Sequence, residues 1–257
     1  MVALLTAIVG LALGSFMGVL VDRVPAGRSI RGRSACDRCR RVLRWWELVP
    51  VVSALLLRHR CPTCSGTIAF RNTAIECGAA VLLVAVLFRH GGMVTATAAI
   101  EAFALLSLGT LAVIDAQRGI VPDQISVPAI AIVAIVRLAN ASHLPLPVAL
   151  PSALRSLAAS IVLGAGFFVV QRLVSRGRWV GDGDTRVGAL MGALFAPYGL
   201  AIALAASYIV GGSLAAVLLI ARRAERGAHI PLVPFLFVGS LVAVLWGEQI
   251  LTWYGIG

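Results

Sequence analysis

Four aspartates, Asp115, Asp123, Asp182 and Asp184, stand at the edges of long apolar runs in this chain. Carboxylates at such places are expensive: an aspartate near the centre of a membrane helix costs roughly 2.5–3.5 kcal/mol on insertion scales, falling toward the interface. Asp184 closes the stretch Gly181-Asp182-Gly183-Asp184, and Asp115 ends an earlier apolar run. Two carboxylates held close together cannot both ionise cheaply. One keeps its proton while the other deprotonates water, and their titration belongs to the pair. Asp123 and Asp182 read more simply as helix-terminal charges or partners of a nearby arginine, and Asp184 itself is a candidate N-cap. Asp115 does not fit that reading, because a helix C-terminus disfavours negative charge and a structural role there needs a compensating partner.

A second group of residues points to metal. Cys36-Asp-Arg-Cys39 and Cys61-Pro-Thr-Cys64 are two C-x-x-C pairs separated by 21 residues. Each pair places two sulfurs on one tight turn, and two such turns supply the four thiolates of a tetrahedral zinc site. A loop of this size has little core of its own, so bound metal is expected to order it. Two disulfides or four free thiols are the other readings of the same residues. Cys77 has no partner at this spacing and is expected to be a buried packing residue. The four histidines are scattered, no Walker motif occurs, and Gly181-Asp-Gly183 lacks the strand and third glycine of a dinucleotide fingerprint.

The elements that must position these groups are helices in a bilayer. The chain is 60% hydrophobic and 13% charged, with mean hydropathy +0.95, a composition that excludes an ordinary soluble domain. The expected fold is all-α and polytopic, with about eight transmembrane helices and a cytoplasmic zinc-binding loop. Spans are expected near 2–21, 76–88, 94–114, 123–139, 153–174, two within 187–221 divided at Pro197-Tyr198-Gly199, and 230–251. The first is apolar from its start and reads as a retained helix rather than a cleaved signal. Gly10, Gly14 and Gly18 repeat along it and suit close helix packing. The expected organisation is a first helix over 1–21, a zinc-binding region over 22–75 and a membrane domain bearing the paired aspartates over 76–257.

Charge tests this topology. The net charge of +11 comes from arginine alone, since the chain has no lysine. With eight spans, 19 of the 22 arginines fall on one side and only Arg89, Arg137 and Arg155 near the other. The positive-inside rule makes the rich side cytoplasmic, and orientation in the bilayer explains the basic residues without nucleic acid. Asp115 and Asp184 then lie at the same face, 69 residues apart.

At this point the residues resemble a known family, the bacterial type IV prepilin peptidases, membrane aspartic peptidases with a Gly-x-Gly-Asp motif. The likeness runs through Gly14-Ser15-Phe16, Asp22-Arg23-Val24-Pro25, the two cysteine pairs, Arg71 and Glu76. It continues in Asp115 with Val121-Pro122-Asp123, in Gly181-Asp182-Gly183-Asp184 with Arg186, and in a closing block from His229 to Phe235. The resemblance implies an endopeptidase of the bacterial inner membrane that removes the basic leader of prepilins or pseudopilins at the cytoplasmic side. Cleavage falls after a glycine and before a hydrophobic, N-methylated residue. It implies Asp115 and Asp184 as catalytic residues, Gly181, Gly183, Asp123 and Arg186 as their support, and Cys36, Cys39, Cys61 and Cys64 as zinc ligands. It also implies transfer of a methyl group from S-adenosylmethionine to the new N-terminus by the zinc-containing region. The chain departs from the family pattern at Gly18, Leu48, Arg71-Asn72-Thr73 and Pro231-Leu232-Val233-Pro234, positions that bear on methyl transfer and leader choice. Two other functions compete: a presenilin-like intramembrane protease, and a non-enzymatic zinc-stabilised transporter or assembly scaffold. Aspartates at one face argue against a transport path, and the cysteine loop favours prepilins as substrate.

Overall fold

The computed structural model describes residues 1–36, 38–140, 146–221 and 230–256. Arg222, Arg223 and Arg226 of the last basic interval, and His229 of the closing block, lie outside the described residues. The described chain is helical, without a β-strand beyond two isolated bridges. Among the described residues, seven helices are long and apolar enough to cross a membrane, and the protein is an integral membrane protein.

Two compact units divide the chain, residues 1–93 and 94–257. In the first, α1 (Val2–Arg23) packs against α3 (Phe70–Arg89), with a loop carrying the short α2 (Val52–Leu56) between them. Lipid tails are as apolar as leucine, so membrane helices associate through close packing, and small residues allow it. A Cβ on Gly10 would lie 2.5 Å from the Ala80 Cα, and one on Gly14 would lie 2.5 Å from the Glu76 Cα. These pairings make α1 and α3 antiparallel. The second helix thus begins at Phe70, six residues before the expected start. It belongs to the N-terminal unit because its small residues meet the glycine stripe of α1. Cys77 is exposed rather than buried: α3 buries Ile75, Glu76, Ala79, Ala80, Leu83, Val86 and Leu87, which turns residue 77 to the opposite side.

The second unit holds α4 (Ala96–Arg118), α5 (Asp123–Asn140), α6 (Leu146–Ser175), α7 (Asp182–Leu194), α8 (Pro197–Ile220) and α9 (Val233–Trp253). Its crossings repeat the same device. A Cβ on Gly188 would meet the Gly164 carbonyl oxygen at 2.4 Å, joining α6 to α7, and one on Gly239 would meet the Ala203 carbonyl oxygen at 2.2 Å, joining α8 to α9. Several buried hydroxyls bond to the preceding turn, as Thr110 does to Leu106 and Ser207 to Ala203. The expected division near Pro197 falls where Phe195 and Ala196 separate α7 from α8. At 13 residues α7 is about 20 Å long, against about 30 Å of hydrocarbon core. It is the eighth segment, and it is not one of the seven long helices.

The α1–α3 contact is directly testable. Gly14→Leu is expected to lower the thermal unfolding midpoint of the detergent-solubilised protein, at the overpacking scale of about 1–3 kcal/mol. Gly78→Ala, whose Cβ would meet nothing within 4 Å, is expected to leave the midpoint unchanged or slightly raised. Differential scanning fluorimetry of both variants checks the pair.

Candidate active site and metal centre

Asp115 lies in the last turn of α4, which continues to Arg118 and stops at Gly119 in the left-handed conformation, φ 64°. The Gly119 N–H donates to the Asp115 carbonyl oxygen at 2.8 Å, closing the helix. The Asp115 carboxylate is buried, with the residue 7% exposed. Its Oδ2 accepts the Val233 backbone N–H at 3.1 Å. Val233 is the first residue of α9, and Pro234 behind it has no N–H to give. A helix C-terminus repels a carboxylate and a helix N-terminus attracts one. The partner that Asp115 needs is therefore the start of another helix, 118 residues away in sequence.

Asp184 sits at the third position of α7, and Gly181 occupies the cap position expected for Asp184. Its Oδ2 accepts the Gly181 backbone N–H at 2.8 Å, the acidic half of a capping box. The half-buried Asp184 thus also lies in the favourable field at the start of α7.

The two aspartate blocks meet through their neighbours. A Cβ on Gly183 would lie 2.6 Å from the Val121 Cβ, so only glycine lets the start of α7 seat against the link after α4. Gly181 plays a different part. With φ −80° and ψ 170° it adopts a conformation open to other residues, and it contributes its amide rather than flexibility. Arg186 ties the same two segments together, bonding Asp123 at 2.5 Å, Asp182 at 3.3 Å and the Val121 carbonyl at 3.4 Å. Arg172 also reaches Asp182. Asp123 and Asp182 are each 64% exposed, and such ion pairs contribute only about 0–1 kcal/mol each. The Gly183–Val121 contact therefore does more to set the approach than the arginine does. Sequence reasoning named Val121 and Val233 only within motifs and gave neither its structural role. The signals available were the extra helical residues after Asp115 and the helix start marked by Pro234.

The cysteines form a separate site within the N-terminal unit. The two C-x-x-C segments fold as copies of one turn. The Cys36 N–H donates to the Arg41 carbonyl at 2.9 Å and the Cys61 N–H to the Gly66 carbonyl at 2.8 Å. Arg40 and Ser65 both take positive φ, 57° and 54°. Isolated bridges join Ala35 to Val42 and Arg60 to Thr67. The four sulfurs lie within 4.8 Å of one another. Cys36 and Cys64 are 3.7 Å apart and Cys39 and Cys61 3.9 Å, close to the edge of about 3.8 Å that a tetrahedron with Zn–S bonds of about 2.3 Å requires.

The electrostatics match a dication. Backbone N–H groups of Cys64 and Thr63 lower the Cys61 thiol to about 6, and those of Cys39 and Arg38 lower Cys36. Although the Gly66 N–H pulls the other way, burial and the neighbouring sulfurs push Cys64 up to about 11. The turns thus favour the first thiolates, while crowding opposes further ionisation until a cation offsets it. The residues fit a zinc ion. Around them, buried Glu47 accepts from Arg41 and from the Arg44 N–H, both at 2.7 Å. The Arg41 guanidinium, helped by that N–H, holds its carboxyl below the usual range. Buried Glu76 on α3 accepts the Val51 N–H at 2.8 Å, anchoring the loop.

Residues 8–90 match the Bacterial Peptidase A24 N-terminal domain, and residues 102–216 match the Type IV leader peptidase family. A Prepilin leader peptidase/N-methyltransferase of Pseudomonas aeruginosa is 31% identical, over 98% of this chain and 92% of its own. Proteins of the same name from Pseudomonas putida and Bacillus subtilis are each 30% identical over 96% of this chain, and over 91% and 95% of their own lengths. No solved structure matches the chain. With such relatives matched nearly end to end, and with both sites on matched segments, the chain belongs to the type IV leader peptidase family of enzymes.

Proposed function

We propose that this protein is a prepilin peptidase whose catalytic pair is Asp115 and Asp184. The observation that carries the assignment is the seating of Gly183 against Val121, which brings the start of α7 against the link that follows α4. The ends of the two helices that bear the aspartates are thereby drawn together. One carboxylate takes a proton from water, whose oxygen attacks the scissile carbonyl carbon. The other carboxyl protonates the leaving amine as the C–N bond breaks. The substrate is a prepilin or pseudopilin whose basic leader stays at the arginine-rich face while its apolar stem lies in the bilayer. The arginine distribution supports placing that face in the cytoplasm and the protein in the bacterial inner membrane.

The N-terminal unit would serve the second activity named in the relatives, methylation of the new N-terminus. Cys36, Cys39, Cys61 and Cys64 would hold a structural zinc, which fixes the loop once bound. S-adenosylmethionine would supply the methyl group. The division of labour follows the compact units: residues 1–93 for methyl transfer and residues 94–257 for cleavage.

Four outcomes test this reading. Asp115→Asn and Asp184→Asn, purified and mixed with a prepilin in detergent, should each lose at least about a hundredfold in cleavage rate, the usual scale of acid–base catalysis. Full cleavage by either variant would end the pair assignment. Gly183→Ala should lower cleavage while leaving zinc content intact, because its Cβ must displace Val121; unchanged activity would show that this approach does not matter. Elemental analysis should find one zinc per wild-type chain, none in Cys61→Ser and a full complement in Cys77→Ser. Mass spectrometry of the product N-terminus should show Cys61→Ser cleaving but not methylating.

A further inference from the structure

Arg137 belongs to the minority of arginines on the arginine-poor side of the chain, and loop charge does not explain it. It lies in the last turn of α5, half-buried. Its Nη1 donates to the carbonyl oxygens of Gly192 at 3.2 Å, Ala193 at 3.0 Å and Phe195 at 3.0 Å. These are the closing carbonyls of α7. The last carbonyls of a helix lack intrahelical donors, and here the next turn cannot supply one: residue 197, four beyond Ala193, is a proline without an N–H. The Phe195 N–H closes onto Met191, and Arg137 takes over the carbonyls that follow.

The two ends of α7 are thus held by α5. At the start, Arg186 on α7 bonds Asp123, the first residue of α5. At the finish, Arg137 of α5 caps α7. The helices therefore run parallel. A helical Cβ tilts toward the N-terminus, so a side chain near the end of the longer α5 reaches back to the end of the shorter α7. At 13 residues α7 falls about 10 Å short of the hydrocarbon thickness. Its C-terminus would otherwise expose carbonyls and a negative dipole end where water is scarce. A cation at that point suits both, and it also fixes how deep α7 sits.

We propose that Arg137 is a positioning residue: by capping α7 from α5, it sets the height of the helix and thereby of Asp184 at its opposite end. This rests on the reading of Asp184 as catalytic. Its consequence is that a side chain at the far end of α7 governs the chemistry at the near end without touching substrate.

Hydrogen exchange and prepilin cleavage are measured on full-length wild type, Arg137→Gln, Arg137→Lys and Arg155→Gln in the same detergent. Arg137→Gln should speed amide exchange in α7 while leaving α8 and α9 at wild-type rates. Its kcat should fall about ten- to a hundredfold with KM unchanged, the scale set by a misplacement of about 1 Å. Arg137→Lys keeps a cation near the same carbonyls and should recover wild-type α7 exchange and most of kcat. Arg155→Gln, whose exposed residue lies on α6, should match wild type in both readouts. Wild-type α7 exchange in Arg137→Gln overturns the proposal, as does wild-type kcat in that variant. If Arg137→Gln fails to fold, the lysine variant decides: wild-type α7 exchange without recovered kcat overturns the proposal. Exchange needs no substrate, so a wild type that fails to cleave prepilin while Arg137→Gln still loosens α7 refutes the substrate reading and leaves the cap in place.

Discussion

A carboxylate in an apolar surrounding must be given donors, and the bond from the Val233 N–H to Asp115 is where this fold meets that constraint. An aspartate in the final turn of α4 opposes the dipole of its own helix. The start of α9 offers the reverse field and an N–H with no intrahelical acceptor. One contact therefore relieves two terminal deficits, an unfavourable charge on α4 and an orphan donor on α9. Asp184 uses the same physics on a simpler plan, at the third position of its own helix with the Gly181 N–H on its Oδ2. Both aspartates thus stand at helix N-termini, one borrowed and one intrinsic.

Helix ends placed this way need helices that do not slide. Between membrane helices the apolar effect is weak, and contact distance matters instead. The crossings of α6 on α7 and α8 on α9 bring glycine against backbone carbonyl, so close that a single methyl would collide. Such crossings fix axial register, because only one pairing of small residues permits the approach. The short α7 is held by this packing along one side, by the Gly183–Val121 contact at its start and by Arg137 at its finish.

Much of this was legible from the chain alone. The all-α class, the two cysteine turns, the glycine stripe of α1 and the brevity of the segment before Pro197 all follow from composition and local spacing. Local spacing is also where such reading stops. The start of α3 at Phe70 was missed because polar Arg71, Asn72 and Thr73 resemble a loop, and the glycines of α1 that accommodate this helix are sixty residues earlier. Cys77 was expected to be buried as an apolar thiol. In a membrane protein an apolar side chain can face outward, so hydrophobicity alone does not report burial. The partner of Asp115 was required by the dipole argument, yet its identity depended on where α9 begins in space. Arg137 was counted only as one of three arginines near the poorer face, because its acceptors lie 55 to 58 residues downstream.

The cysteine site follows a different logic from the helices, and the contrast explains why the chain carries both. Its two turns repeat the same hydrogen bonds, the same positive φ and the same bridge at a spacing of 25 residues, although the sequences share little beyond the cysteines. A turn of this kind aims backbone N–H groups at its sulfurs whatever the other side chains are. The intervening residues are then free to vary, provided the ends return to the same point. Glu47 and Glu76 secure that return, by way of Arg41 and the Val51 N–H. The four thiols could therefore organise, around a bound cation, a loop too short for a core of its own. The membrane helices, which cannot rely on burial from water either, use contact distance to the same end.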